Sequence, residues 1–304
     1  MSFEVFILGS NSALPAHGRH PSSQLLNHND CLYLIDCGEG TQMRLTQYGL
    51  KRNKIDVIFI SHLHGDHIFG LPGLITSYIL SSRVQPLRIV GPVGLLRFLD
   101  VCINLEKTKV PFELDIIEIE PDERPVVLEN DQLTVSAFPL DHKITTSGFV
   151  FQEKDKERHL RPNVIEEYNI PYQKINGIKN GDDFVLDSGE VILNDVLTTP
   201  PDPAFSYAYC SDTAYDERIA EYVKGCSCIY HEATFLSDLE DQAAKRKHST
   251  ARQAALIAKK AQIDKLLIGH FSTRYINLEP LLEEAQSVFS NTYLALEGKS
   301  FSIS

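Results

Sequence analysis

Short apolar runs recur along the chain and alternate with stretches whose apolar residues fall at helical spacing. The runs predict strands over residues 3–8, 31–36, 57–61, 87–90, 113–119, 133–139, 146–152, 206–211, 229–232, 265–269 and 293–296. The stretches between them predict helices over 41–47, 71–81, 94–102, 164–168, 215–223, 251–261 and 279–289, with Ser249 or Thr250 as N-cap of the one over 251–261. This alternation makes an α/β protein. Titratable residues collect at the predicted strand ends: Asp36, His62 to His67, His142, Asp212, His231 and His270. A sheet scaffold that carries its site on loops along one edge has this pattern. The residues fall into a set up to 142 and a set from 212, which suggests two βα-rich halves sharing a cleft.

Between 153 and 204 the pattern breaks. Pro162, Pro171, Pro200, Pro201, Pro203, Gly177, Gly181 and Gly189 interrupt it, after the charge run Glu153-Lys154-Asp155-Lys156-Glu157-Arg158. An irregular stretch this long inside a compact domain is functional or mobile. It reads as an arm inserted over 153–204 into a single domain of 1–304, with hairpin-like pieces at Asn180-Gly181-Asp182 and Asp187-Ser188-Gly189. A plain surface elaboration is the alternative.

Composition changes this picture only a little. With 304 residues there is ample length for a sizeable core. The net charge of −12 opposes non-specific binding to nucleic acid, although bound cations or a local basic path would still draw a polyanion. The six cysteines form no Cys-x-x-Cys and sit mostly in apolar runs, as buried reduced thiols do. Residues 1–8 lack the basic start and cleavage site of a signal peptide. The longest apolar stretch, 68–80, contains Pro72 and is too short to span a bilayer. The expectation is a soluble, cytoplasmic protein without a membrane partner.

The densest chemistry lies in Ser61-His62-Leu63-His64-Gly65-Asp66-His67, directly after the apolar run Ile55 to Ile60. Imidazoles and a carboxylate crowded in this way need a counter-charge, and they are the donors zinc takes in hydrolytic sites. In an extended loop His62 and His64 point one way, and Asp66 and His67, past a tight turn at Gly65, face a second ion. His142, Asp212 and His270 complete the set: His62, His64 and His142 on one ion, Asp66, His67 and His270 on the other, and Asp212 across both. A water between the ions, its pKa lowered toward neutrality, is the expected nucleophile, with Asp66 as proton acceptor. His248, in His248-Ser249-Thr250, is the candidate proton donor to a leaving alkoxide, and Glu232 or His231, in His231-Glu232-Ala233-Thr234, would orient and charge it. Arg274 is placed to pair with a phosphate. His17, His20, His28 and His159 read as ordinary surface or turn histidines.

The motif His62-x-His64-x-Asp66-His67 with His142, Asp212 and His270 resembles the metallo-β-lactamase superfamily. Gly9-Ser10, Asp36-Cys37-Gly38-Glu39-Gly40, His231-Glu232-Ala233-Thr234, His248-Ser249-Thr250 and His270-Phe271-Ser272-Thr273-Arg274-Tyr275 narrow it: the chain is similar to the ribonuclease Z family, zinc endoribonucleases that remove 3′ trailers from precursor tRNA. The resemblance covers essentially the whole chain. It implies a four-layer αββα sandwich, two Zn2+ per subunit, a homodimer, and cleavage that leaves a 3′-hydroxyl on the tRNA and a 5′-phosphate on the trailer. It also implies that the arm grips the tRNA body, which makes Lys174 and Lys179 binding candidates beside Arg274, His231 and Glu232. The chain departs from the family pattern in the arm, at Ile170 to Gly181, where a Gly-Pro pair is missing, and at Pro15-Ala16-His17-Gly18-Arg19-His20. A small-molecule hydrolase of the same superfamily and a non-catalytic RNA-binding relative are the competing readings. The long arm and the His231 and His248 motifs weigh against the first, and the complete ligand set weighs against the second.

Overall fold

The computed structural model describes residues 2–105 and 107–303. They fall into two compact units, one of Met1–Asn130, Thr134–Phe151 and Phe205–Ser304, the other of Asp131–Leu133 and Gln152–Ala204.

Two seven-stranded sheets organise the larger unit. The first runs Ser300–Ser302, Phe3–Gly9, Ser23–His28, Cys31–Ile35, Ile55–Phe59, Leu87–Pro92, Leu114–Ile119. Its pairings are antiparallel up to Cys31–Ile35 and parallel beyond. The second runs Thr292–Leu294, Lys265–Gly269, Cys228–Glu232, Ser206–Cys210, Thr146–Glu153, Leu133–Leu140, Val126–Glu129. Its first four strands are parallel. Parallel strands are buried on both faces, which is why Ile55–Phe59 and Ser206–Cys210 read as continuous apolar runs.

Aromatic rings fill the space between the sheets. Phe59 of the first meets Phe149 and Phe151 of the second at centroid distances of 5.3 and 5.2 Å, and Tyr33 meets Phe151 at 6.2 Å. Helices cover the outer faces. Leu71, Leu74, Ile75 and Tyr78 of helix Leu71–Leu80 pack with Leu34, Ile58 and Ile89, and Ala251, Ala254, Ala255 and Ala258 of helix Ala251–Ala261 pack with Ala208, Ile229 and Ile268. The small alanines let that helix lie close to its sheet. The result is the expected four-layer αββα sandwich, and sheets with helices on both outer faces are a standard layer solution.

The sheet boundary differs from the two-halves expectation. The division falls between Ile119 and Val126, so His142, which follows Leu133–Leu140, belongs with the second sheet. Strands Ser23–His28, Val126–Glu129 and Ser300–Ser302 and helix Glu240–Arg246 lie outside the sequence expectation, and the helix expected over 215–223 is a single turn, Ile219–Tyr222.

The smaller unit has regular structure of its own. It holds two short antiparallel pairs, His159–Leu160 with Thr198–Thr199 and Phe184–Val185 with Val191–Ile192, and helices Val164–Glu167, Tyr172–Lys179 and Asn194–Leu197. Val164, Ile170, Ile178, Phe184 and Leu197 form its small core. Asn194 fastens it from within, its Nδ2 donating to the carbonyls of Ile178 and Asp182 at 2.7 Å each. Asp187-Ser188-Gly189 does turn a hairpin, but Asn180-Gly181 ends helix Tyr172–Lys179 instead, with Gly181 at φ 107°. That helix escaped the pattern because Asn176 and Gly177 interrupt its apolar spacing.

Candidate active site

Strand direction assembles the site. Asp36 follows Cys31–Ile35 and the His62 loop follows Ile55–Phe59, its parallel neighbour. Asp212 follows Ser206–Cys210, and His270 follows Lys265–Gly269, in the parallel half of the other sheet. Parallel strands end on one edge, and ligand sites of α/β proteins lie off the carboxyl ends of strands. Asp36 and His270 both take left-handed backbone, at φ 55° and 58°. Non-glycine residues held there cost about 1–3 kcal/mol and collect at functional sites.

The loop after Ile60 is not extended throughout. Gly65–Ile68 forms one helical turn with His64 as its N-cap residue, so Asp66 and His67 leave from a helix rather than from beyond a tight turn. Close packing of this turn on the Asp36 loop depends on Gly70: a Cβ there would lie 2.2 Å from the Gly38 carbonyl oxygen.

Two donor groups share Asp212: His62, His64, His142 and Asp212 form one, and Asp66, His67, His270 and Asp212 the other; Glu232, His248 and His270 form a third. His142 Nε2 lies 3.2 Å from His64 Nδ1, and Asp212 Oδ2 lies 3.7 and 3.8 Å from the Nε2 atoms of His62 and His142. In the second group Asp212 Oδ1 is 3.3 Å from His67 Nε2 and 3.2 Å from His270 Nε2, and Asp66 Oδ2 is 3.5 and 3.3 Å from the same two nitrogens. Donors spaced in this way suit a centre ~2.1 Å from each, the reach of a zinc–imidazole or zinc–carboxylate bond. His62 Nε2, His67 Nε2 and Asp212 Oδ1 are buried without a hydrogen-bond partner. Leaving such atoms unpaired costs about 1–3 kcal/mol each, and a cation in each of the two groups that share Asp212 would satisfy all three. The residues therefore fit a metal centre.

The opposite nitrogens are held from behind. His67 Nδ1 donates to Asp36 Oδ2 at 2.7 Å, His142 Nδ1 to the Lys247 carbonyl at 2.8 Å, His270 Nδ1 to Thr234 Oγ1 at 2.9 Å and His62 Nδ1 to Ser61 Oγ at 3.0 Å. Such partners fix tautomer and ring orientation in metal sites. Asp36 also accepts from Ser61 N at 2.7 Å, Ser61 Oγ at 2.8 Å and Tyr209 OH at 2.7 Å. Sequence reasoning marked Asp36 as a strand-end and motif residue but gave no role to it, nor to Thr234, Ser61 or Tyr209.

Crowding sets the electrostatics. Burial, with His67 beside it, pushes His62 well below the ordinary histidine range. Burial also works against charging His67, but Asp212, Asp66 and Asp36 more than reverse that and hold it well above.

Beside the donors lies an acid–base pair. His248 Nδ1 donates to Glu232 Oε1 at 2.8 Å. Burial disfavours the charged imidazole, yet Glu232, then Asp212 and Asp66, raise it to about 9. Glu232 is buried and saturated, accepting also from Thr213 N and Thr234 N at 3.1 Å each and from Thr234 Oγ1 at 2.7 Å. This differs from its expected place among substrate contacts: it has no exposed surface and lies behind His248. His231 differs likewise. It is fully buried, its Nδ1 donates to the Glu232 carbonyl at 2.7 Å, and it belongs to none of the donor groups. Arg274 is exposed, 4.9 Å above the Phe235 ring, with its Nε donating to Ser272 Oγ. His28 is buried against Phe3 and not at the surface.

A cleft of 420 Å³ opens over the donors, lined also by Leu14, Pro15, Phe69 and His248. The loop 10–21 forms part of its wall: Ala13 N donates to Asp66 Oδ2 at 2.8 Å, and Arg19 ties the loop to Asn11 and the Tyr275 carbonyl.

The comparisons agree with this geometry. A ribonuclease Z of Bacteroides fragilis is 43% identical over 301 residues, 99% of each chain. The chain belongs to the ribonuclease Z family. The chain is therefore a hydrolytic endoribonuclease of that family. The crystal structure of human tRNase Z, short form, superposes with a TM-score of 0.72 at 26% identity, covering 99% of both chains. The metallo-β-lactamase fold protein YhfI of Bacillus subtilis superposes with a TM-score of 0.71 at 19% identity, covering 99% of this chain and all of that one. Residues 3–101 also match the family of anti-Pycsar protein Apyc1. No helix among the described residues is long and apolar enough to cross a membrane.

Proposed function

We propose that the chain is a zinc-dependent endoribonuclease that removes the 3′ trailer from precursor tRNA, leaving a 3′-hydroxyl on the tRNA and a 5′-phosphate on the trailer. The observation that carries this reading is the Glu232–His248 pair at the edge of a cleft floored by two donor groups that share Asp212. His62, His64 and His142 with Asp212 would hold one Zn2+, and Asp66, His67 and His270 with Asp212 the other. When bound, the ions activate water and offset charge on the phosphoryl oxygens.

The chain's own groups do the rest. Asp66 Oδ2 is engaged by Ala13 N and faces His67 and His270, which leaves Oδ1 to take the proton of the attacking water. His248, held through Nδ1 by Glu232, gives the proton on Nε2 to the departing 3′-oxygen as the P–O3′ bond breaks. Arg274 meets a backbone phosphate, and its exposure over Phe235 suits that role. The unit of Gln152–Ala204 grips the tRNA body through Lys174, which is exposed, and Lys179, whose Nζ lies 3.2 Å from Glu157. Two copies form a homodimer. Exposed Met43, Leu80, Leu96 and Val101 support a covered apolar face on the helical side of the first sheet. The six free cysteines suit the reducing cytoplasm.

The test is cleavage of a precursor tRNA carrying a 3′ trailer, with and without chelator, beside a small chromogenic phosphodiester. The expected result is zinc-dependent cutting next to the discriminator base. Activity on the small diester alone would sink the tRNA reading.

A further inference from the structure

A second cleft, of 280 Å³, adjoins the first. Ser12, Ala13, Lys143 and His248 line both, so His248 stands on the partition between them. The walls differ in charge. Glu39, Asp66 and Asp212 line the first cleft. Among the described residues no acidic one lines the second, which carries Lys143 and Arg246 together with the hydroxyls of Ser272 and Thr273. Both cations are exposed. Arg274 lies on the same side, over the Phe235 ring that also lines this cleft. In a chain of net charge −12, such a place is a local exception. Guanidinium, ammonium and hydroxyl donors converging without a competing carboxylate make a phosphate site, and phosphate contacts are what fix the register of a nucleic acid on a protein.

We propose that this second cleft is the subsite for the nucleotide upstream of the cut, with Arg246 and Lys143 holding the phosphate on that nucleotide's 5′ side. The inference rests on the reading of His248 as donor to the leaving 3′-oxygen. The sugar that carries this oxygen must lie on the His248 side of the broken bond, and the strand continues from there into the cleft beyond His248. The first nucleotide of the trailer then lies in the first cleft, toward Leu14, Pro15 and Phe69. The cleft thus sets the direction in which RNA threads the site.

The test couples a charge on the protein to a charge on the RNA. A precursor tRNA is made with one methylphosphonate at the phosphate immediately upstream of the scissile one. With the zinc-loaded full chain, this neutral linkage slows cleavage roughly tenfold, and Arg246→Ala slows the unmodified substrate by a similar factor. In the variant the methylphosphonate adds little, because its partner is already gone. Lys143→Ala gives the same pattern. Anisotropy of labelled product tRNA on metal-free protein supplies a readout apart from turnover: Arg246→Ala lowers the slope of log affinity against log salt by about 0.7. Losses that multiply in full overturn the proposal, as does coupling to a methylphosphonate placed downstream instead. A wild-type chain that cuts the small diester and no precursor tRNA overturns the tRNA reading and this subsite with it. Efficient tRNA cleavage without the coupling overturns the subsite alone.

Discussion

Asp36 touches no part of the cleft, yet four donors converge on its buried carboxylate, among them His67 Nδ1 and Tyr209 OH. Asp36→Ala would free the His67 ring and leave Ser61 N and Tyr209 OH unpaired in the core. Zinc affinity should fall about 10–100-fold, measured by competition with a chromophoric chelator, and each stranded donor should cost about 1–3 kcal/mol of stability in urea. Unchanged affinity would show that packing alone orients His67. His248→Ala removes the proposed proton donor. Cleavage should drop about 10²- to 10⁴-fold while zinc per chain, read by elemental analysis, stays constant. Lost zinc would make His248 a ligand. At this scale the sequence was informative where residues crowd together. The His62 loop is conspicuous by density alone, and Asp212, His248 and His270 stand out beside it. The residues behind them were not readable, because an Asp after a strand looks the same whether it closes a turn or holds a histidine. The partners of Asp36, at Ser61, His67 and Tyr209, are far away in sequence.

Among the elements, helix Ala251–Ala261 begins three residues after His248, the proposed proton donor. Thr250 caps it in a reciprocal box with Gln253, each side chain accepting from the other's backbone N–H. Just before it, Ser249 Oγ donates to the Thr213 carbonyl and so ties the His248 loop to the Asp212 loop. Thr250→Ala should cost about 0.5–2 kcal/mol in urea denaturation and lower kcat more than it raises KM. An unaltered kcat would mean that Ser249 and Glu232 hold His248 without help from the helix start. The helix and a Ser249 or Thr250 cap were readable before an apolar periodicity; that Thr250 is the cap, boxed with Gln253, came only from the structure. Strand Ser23–His28 was not readable, because buried Ser23 and Gln24 break its apolar run. Pairing on both edges places it in the sheet. Helix Glu240–Arg246 has one buried residue, Ala243, and so no apolar stripe to read.

For the whole molecule, α/β alternation and the layered architecture followed from pattern and resemblance. Which strands share a sheet did not, since pairing joins residues distant in sequence, and the boundary before Val126 leaves no local mark. If Gln152–Ala204 is the part that holds tRNA, Lys174→Ala combined with Lys179→Ala should raise KM for precursor tRNA several-fold, each lost phosphate contact also flattening the salt dependence by about 0.7 in log–log slope. Turnover at saturation and hydrolysis of a small diester should be unaffected. A lower kcat at unchanged KM would count against a gripping role. The division of the donors between sheets has a further consequence. His62, His64, Asp66 and His67 come with the first sheet, and His142, Asp212 and His270 with the second. A chain that has formed only one sheet therefore holds neither of the groups that share Asp212 complete. While still being synthesised, or when half unfolded, it lacks the shared Asp212 arrangement of the proposed centre, so the proposed activity would report that both sheets have formed.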